Sequence, residues 1–203
     1  MLCAVHISDG VLLAPWLLAG GVLAFILVSI GLFRFELGMI PRIGLLAAVF
    51  FVSSQIHFRM GPTSVHLLLN GLVGIMLGRF AGIAILEGLF LQCMLFNHGG
   101  WTTLGVNTVV LTLPALLAYG ISRVIPLNAW TGSMIGFSCA TLTVLLNFLV
   151  LLFGGSDDWP ILARLVVIPH LPIIVLEAIL LGVIVGYLQR VKPELLQITK
   201  SHQ

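Results

Sequence analysis

Two imidazoles stand where they could do chemistry. His66 lies within Gly61 to Gly71, GPTSVHLLLNG, ahead of an apolar run, and His6 opens a short polar segment, HISDG. Imidazole is the commonest metal ligand and suits nickel, cobalt, copper and zinc. Ionisable or metal-binding groups within a membrane are costly and usually mark a transport path. The spacing alone leaves two readings of His66 open: a ligand, or a histidine hydrogen-bonded inside a helix bundle. For His6 the plainer reading is an exposed loop histidine. Thr63 and Ser64, ahead of His66, have the hydroxyls that cap a helix start, which predicts that His66 opens a helix from one membrane face.

The rest of the chain says what must position these groups. Of 203 residues, 60% are hydrophobic and 8% charged, and the mean hydropathy is +1.19. Soluble domains carry roughly 25% charged residues, so this composition points to an integral membrane protein. A net charge of +2 gives no argument for nucleic acid. Cys3, Cys93 and Cys139 lack metal-binding spacing, and Cys93 and Cys139 read as small buried hydrophobes. There is no Walker A sequence, so ATP hydrolysis is not expected of this chain, and no HExxH or GxSxG to suggest a protease or esterase.

A span needs about 20 apolar residues. Charges divide the chain into runs near 11–33, 40–56, 64–78, 80–96, 104–122, 127–154 and 165–189. The expected fold class is therefore an all-α integral membrane protein of about seven transmembrane helices, a single domain over 1–203. With the N-terminus outside, Arg34, Arg42, Arg79, Arg123, Arg190, Lys192 and Lys200 fall inside, and only Arg59 and Arg164 outside. That asymmetry satisfies the positive-inside rule and puts the C-terminus in the cytoplasm. The expected location is the cell (inner) membrane, multi-pass.

In this topology the outer half gathers His6, Asp9, His57, His66, Asn70, His98 and His170. A cation site open to the outside follows as an inference. Asp9 reads as a turn former or a group that braces the site. Asn70 would lie one helical turn below His66, either bonded to it or joining helices. His98 belongs to the outer Gly-rich loop, and His170 stands between Pro169 and Pro172 in the last span. Glu87 and Glu177 are expected as buried carboxylates, neutral or paired, rather than a proton relay. Gly74 with Gly78, and Gly182 with Gly186, form GxxxG pairs, read chiefly as internal helix contacts.

Over nearly its whole length the chain resembles the CbiM/NikM family, the substrate-capturing membrane components of energy-coupling-factor (ECF) transporters for cobalt and nickel. The resemblance rests on HISDG at 6–10, GPTSVHLLLNG at 61–71, NHGGWTTLGVNT at 97–108, HLPIIVLEAI at 170–179 and RVKPELL at 190–196, in that order. It implies a metal held by four nitrogens: a terminal amine, the amide and imidazole of the next residue, and the imidazole of the PTSVH motif. Here the imidazoles would be that of His6, in an N-terminal segment, 1–10, inserted into the bundle, and that of His66. Four nitrogens in a square suit Ni(II) and can accept Co(II).

The chain departs from that pattern, because its histidine is residue 6 and not residue 2. A terminal amine closes the same chelate rings only from position 5. The gene start could lie at Val5, read as methionine from a GTG codon; residues 1–4 could be removed; or Cys3 could replace the amine. The first restores Met-His with no further assumption and is preferred. The resemblance further implies partners: a transmembrane coupling (T) subunit, ATPase (A) subunits and a small accessory membrane subunit. The expected cargo is Co(II), with Ni(II) as the alternative, and no resident cofactor. Rivals of another class are a membrane zinc metalloenzyme using His6, His66 and His170, and a gradient-driven carrier using Glu87 and Glu177.

Overall fold

The computed structural model describes residues 6–33, 35–60, 63–156 and 159–196. Val5, and with it the expected terminal amine, lies outside the described residues, as do Met1 and Cys3. The elements in order are α1 (Ala14–Leu32), α2 (Ile40–Ser53), the strands β1 (His57–Met60) and β2 (Thr63–His66), α3 (Asn70–Leu77), α4 (Ala81–Phe96), α5 (Leu104–Val124), α6 (Ala129–Gly154) and α7 (Trp159–Val191). Short 3-10 turns precede α2, join α3 to α4, and follow α7.

Five helical runs are long and apolar enough to cross a membrane: Ala14–Leu32, Asn70–Phe96, Leu104–Val124, Ala129–Gly154 and Val167–Val191. Leu37–Ser53 is shorter. The run Asn70–Phe96 is not one rod. Gly74 and Gly78 of its first half lie against Ala115 and Tyr119 of α5, yet Gly82, just beyond, lies against Thr112. The chain therefore reverses at Gly78, whose φ of +55° is open to glycine but strained for other residues.

Contacts fix the directions of the other helices. Gly88 and Gln92 of α4 meet Phe50 and Ser54 of α2, so α2 and α4 run in parallel. Gly132 faces Val185 while Gly136 faces Glu177, so α6 and α7 run antiparallel. Both expected GxxxG pairs serve these internal contacts: Gly74 and Gly78 against α5, Gly182 and Gly186 against Ser133 and Ala129 of α6. A built Cβ on Gly74 would overlap the Ala115 carbonyl, so α3 and α5 approach as closely as backbones allow.

All eight residues of α3 are buried. It is the axis of the bundle, packed with Phe50, Ile85, Leu111 and Leu181. At the outer circumference, Leu18 and Phe25 of α1 are more than 70% exposed, as expected of a face turned to hydrocarbon. A second apolar cluster holds Ile7, Val11 and Leu12 against Val106, Val110 and Leu151, which docks the N-terminal segment. The amide of Leu13 donates to Gly154 O at 2.9 Å, and that of Ser156 to Val11 O at 2.8 Å.

Two expectations need correction. His66 does not open a helix: it ends strand β2, directly across from His57 of β1, and α3 begins only at Asn70. The reason is non-local. Residues 67–69 are non-helical, Leu69 adopts a left-handed φ of 48°, and the carboxylate of Glu177 accepts the amides of Leu68 and Leu69. A distant acceptor thus replaces the hydroxyl cap and delays the helix. Glu87 is not buried either; it lies on the exposed face of α4, near Phe90 and Met94.

Candidate metal site

The N-terminal segment is tied into the bundle by side chains acting as a strand partner. The Ile7 amide donates to Asn107 Oδ1 at 2.9 Å, and Asn107 Nδ2 donates back to Ile7 O at 2.9 Å. The Thr103 hydroxyl donates to the same carbonyl at 2.6 Å. Two residues on, Asp9 accepts the amides of Trp101 at 3.1 Å and Thr102 at 2.8 Å, and also the Thr102 hydroxyl. Although partial burial opposes it, these hydrogen bonds together hold Asp9 below its ordinary value. The loop comes this close because residue 100 is glycine; a Cβ there would overlap Asp9.

This docking delivers the His6 ring to within 4.7 Å of the His66 ring, centroid to centroid, tilted by 48°. Both side chains are buried. His66 Nδ1 lies 3.0 Å from the Leu67 carbonyl, so that nitrogen carries the proton and Nε2 keeps a bare lone pair. The Nε2 atoms of His6 and His66 are both buried without a hydrogen-bond partner. Buried polar atoms are seldom left so, and the bare His66 lone pair beside a second imidazole suits a cation. Burial, then the neighbouring His66 ring, hold the His6 imidazole well below the usual histidine range; burial likewise lowers His66. Both are therefore neutral at physiological pH, the state a metal ligand needs.

Four further side chains lie near this pair. His57, opposite His66 in the hairpin, has its ring centroid 5.6 Å from that of His66. His98 stacks on His57 at 4.7 Å, with 3.3 Å between their Nε2 atoms. Burial and the adjacent His57 lower the His98 pKa. Gln92 lies beside His6, anchored by donation from Nε2 to Ser54 Oγ at 2.7 Å. His170 is buried and close enough to act electrostatically on His66. Among the described residues, no three His, Cys, Asp or Glu side chains converge tightly enough to hold an ion by themselves.

Asn70 does not bond His66. Its Nδ2 donates to Leu111 O at 3.1 Å and Thr143 Oγ1 at 2.9 Å, and its Oδ1 accepts from Cys139 Sγ at 3.4 Å, joining α3, α5 and α6. Glu177 is the carboxylate that holds the chain entering α3. Sequence reasoning placed His57 in the outer half without giving it a role, and it did not single out Asn107 or Gln92. Asn107 was legible only as part of the NHGGWTTLGVNT stretch, and its partner Ile7 is 100 residues away.

Apolar helices around a buried pair of neutral imidazoles make a multi-pass membrane protein with a polar site among its helices. Residues 6–195 match the family model CbiM, described as a cobalt uptake substrate-specific transmembrane region. The chain belongs to the CbiM family, whose members are metal transport components and not enzymes. It is 36% identical to a Haemophilus influenzae protein named for metal transport, over 97% of this chain and 98% of that one. Two fused proteins are also similar. One, of Methanocorpusculum labreanum, is named for cobalt transport as CbiMQ: 26% identical, over 94% of this chain and 36% of that one. The other, of Archaeoglobus fulgidus, is named for nickel transport as NikMN: 39% identical, over 32% of this chain and 22% of that one. The crystal structure of a transition metal transporter superposes with a TM-score of 0.76 at 22% identity, over 96% of this chain and 98% of that one. That likeness speaks to the fold.

Proposed function

We propose that this protein is the membrane-embedded substrate-capture component of an ECF-type importer for Co(II), with Ni(II) as the alternative cargo. The observation that carries the reading is the tethered N-terminal segment. Three hydrogen bonds at Ile7 bring the His6 ring against that of His66, whose Nε2 is buried and unpartnered. A segment held that way is a clamp on a small ion.

The ligand set in this proposal is the His6 and His66 imidazoles, the His6 amide nitrogen and a terminal amine on residue 5. A five-membered ring then closes between the amine and the His6 amide and a six-membered ring between that amide and His6 Nδ1, with His66 binding through Nε2, and a square of nitrogens suits Ni(II) and accepts Co(II). Asp9 braces the segment from the loop that carries His98, and His170 stands behind His66. The alternating helix directions support seven crossings within one domain, the third made by residues 67–69 with α3. The positive-inside asymmetry supports an outward N-terminus and a cytoplasmic C-terminus. The fused relatives support partnership with a transmembrane coupling subunit and a small accessory membrane subunit, and with these go separate ATPase subunits.

The test is metal analysis of the purified protein together with uptake in cells. His6→Ala and His66→Ala should each abolish uptake, and mass spectrometry should find a chain starting at position 5. Uptake that persists without the partner ATPase and collapses with the proton gradient overturns the ECF reading. Tight binding by a chain that begins at Met1 overturns the chelate.

A further inference from the structure

We infer that His57 and His98 form a second, outer cation position that receives the divalent ion and passes it to His66. The geometry has three parts. First, His57 Nδ1 lies 2.8 Å from the Gln55 carbonyl, so the proton sits on Nδ1 and Nε2 presents a bare lone pair. A backbone carbonyl holding one ring nitrogen is the common way to orient the other toward a metal. His66 is held in the same manner by Leu67 O. The two histidines opposed across the hairpin therefore both offer Nε2.

Second, the Nε2 atoms of His57 and His98 are 3.3 Å apart. Two nitrogens each ~2.0–2.1 Å from one ion are about 3.3 Å apart at a tetrahedral angle and about 2.9 Å at a right angle. As the rings stand, stacked within 11°, His98 donates from Nε2 to the lone pair of His57. Moving that proton to His98 Nδ1 and tilting the ring turns a hydrogen-bonded pair into a ligand pair. Water completes the shell.

Third, the rings form a graded series. His57 and His98 are half-buried, whereas His66 and His6 are buried. Centroids step from His57 to His66 over 5.6 Å and from His66 to His6 over 4.7 Å. Stripping a divalent ion of its water in one step is expensive. A half-buried imidazole pair replaces part of the hydration shell first, and the buried pair replaces more. The outer position does not depend on which nitrogens complete the inner one, although the transfer rests on the proposed inner site.

The test is equilibrium and stopped-flow titration of the purified full chain with Co(II) alone, with Trp101 fluorescence as reporter. The wild type should take up two equivalents, one tight and one weaker. His57→Ala with His98→Ala should lose the weaker equivalent, keep the tight one, and load it about tenfold more slowly. His6→Ala with His66→Ala should lose the tight equivalent and keep the weaker one; if it does not, the inner-site reading fails while the outer one is still read independently. Retention of both equivalents and the full loading rate in the first variant overturns the inference. So does loss of the tight equivalent there, since the pair would then belong to the inner site. Gln substitutions at 57 and 98, checked by thermal melting, replace the alanines if those fail to fold.

Discussion

Replacing Asn107 by alanine is the sharpest test of how the N-terminal segment is held. Asn107 supplies an acceptor to the Ile7 amide and a donor to the Ile7 carbonyl, both at 2.9 Å. Each such bond contributes about 1 kcal/mol net, and a buried amide left without an acceptor costs about 1–3 kcal/mol. The Ile7 carbonyl keeps the Thr103 hydroxyl, so only the amide is orphaned. The sum is a loss of roughly 2–4 kcal/mol from the docked state. Burial of Ile7 and Val11 still favours docking, which puts the expected effect at the low end. At ~1.4 kcal/mol per tenfold, Co(II) or Ni(II) affinity should fall about 30-fold. Thr103→Val removes one donor and leaves the Asn107 donor in place, so it should cost about fivefold. Equilibrium dialysis of the purified variants measures both, with thermal melts confirming that the bundle is intact. An Asn107→Ala protein that melts normally and binds within threefold of wild type, by this same order-of-magnitude reckoning, refutes the idea that segment docking builds the site.

Other outcomes follow from the packing. Glu177→Leu strips the acceptor from the Leu68 and Leu69 amides and should lower stability by roughly 2–6 kcal/mol, whereas Glu177→Gln keeps an acceptor oxygen and should melt much closer to wild type. Equal melting of the two would mean that those bonds contribute nothing. Gly74→Val drives a side chain into the Ala115 carbonyl from a helix buried on every side, and should cost about 1–3 kcal/mol or prevent folding, read as yield of monodisperse protein. Asp9 has a folded value below 3.8, so its tie is complete above that pH and is lost as pH falls through the folded value. Hydrogen exchange at Ile7 and its neighbours should therefore speed up, relative to the rest of the bundle, at the acid end, and Asp9→Asn should remove that pH dependence.

Much of the fold was legible in the chain. Long uncharged runs predict spans at 104–122 and 127–154, and α5 and α6 occupy Leu104–Val124 and Ala129–Gly154. Lipid imposes this, because a backbone crossing hydrocarbon must satisfy its own hydrogen bonds and a helix does so locally. The motif order and the apolar composition together pointed to the family. The small-residue pairs announced close helix contacts for a local reason too, since a missing Cβ is a property of the residue.

Tertiary structure decided the rest. That His66 ends a strand depends on pairing with His57 and on Glu177, which lies 109 residues from Leu68 and accepts its amide. Hydroxyls at 63 and 64 look like a helix cap because capping is read from neighbours, and a distant carboxylate is invisible to that reading. The exposure of Glu87 depends on which face of α4 meets α2 and α5. The His57–His98 pair joins a hairpin to a loop 41 residues later, and Ile7 meets Asn107 across 100 residues. Local propensity and hydropathy determine where a chain crosses a bilayer; only packing between distant segments decides which nitrogens end up facing one another.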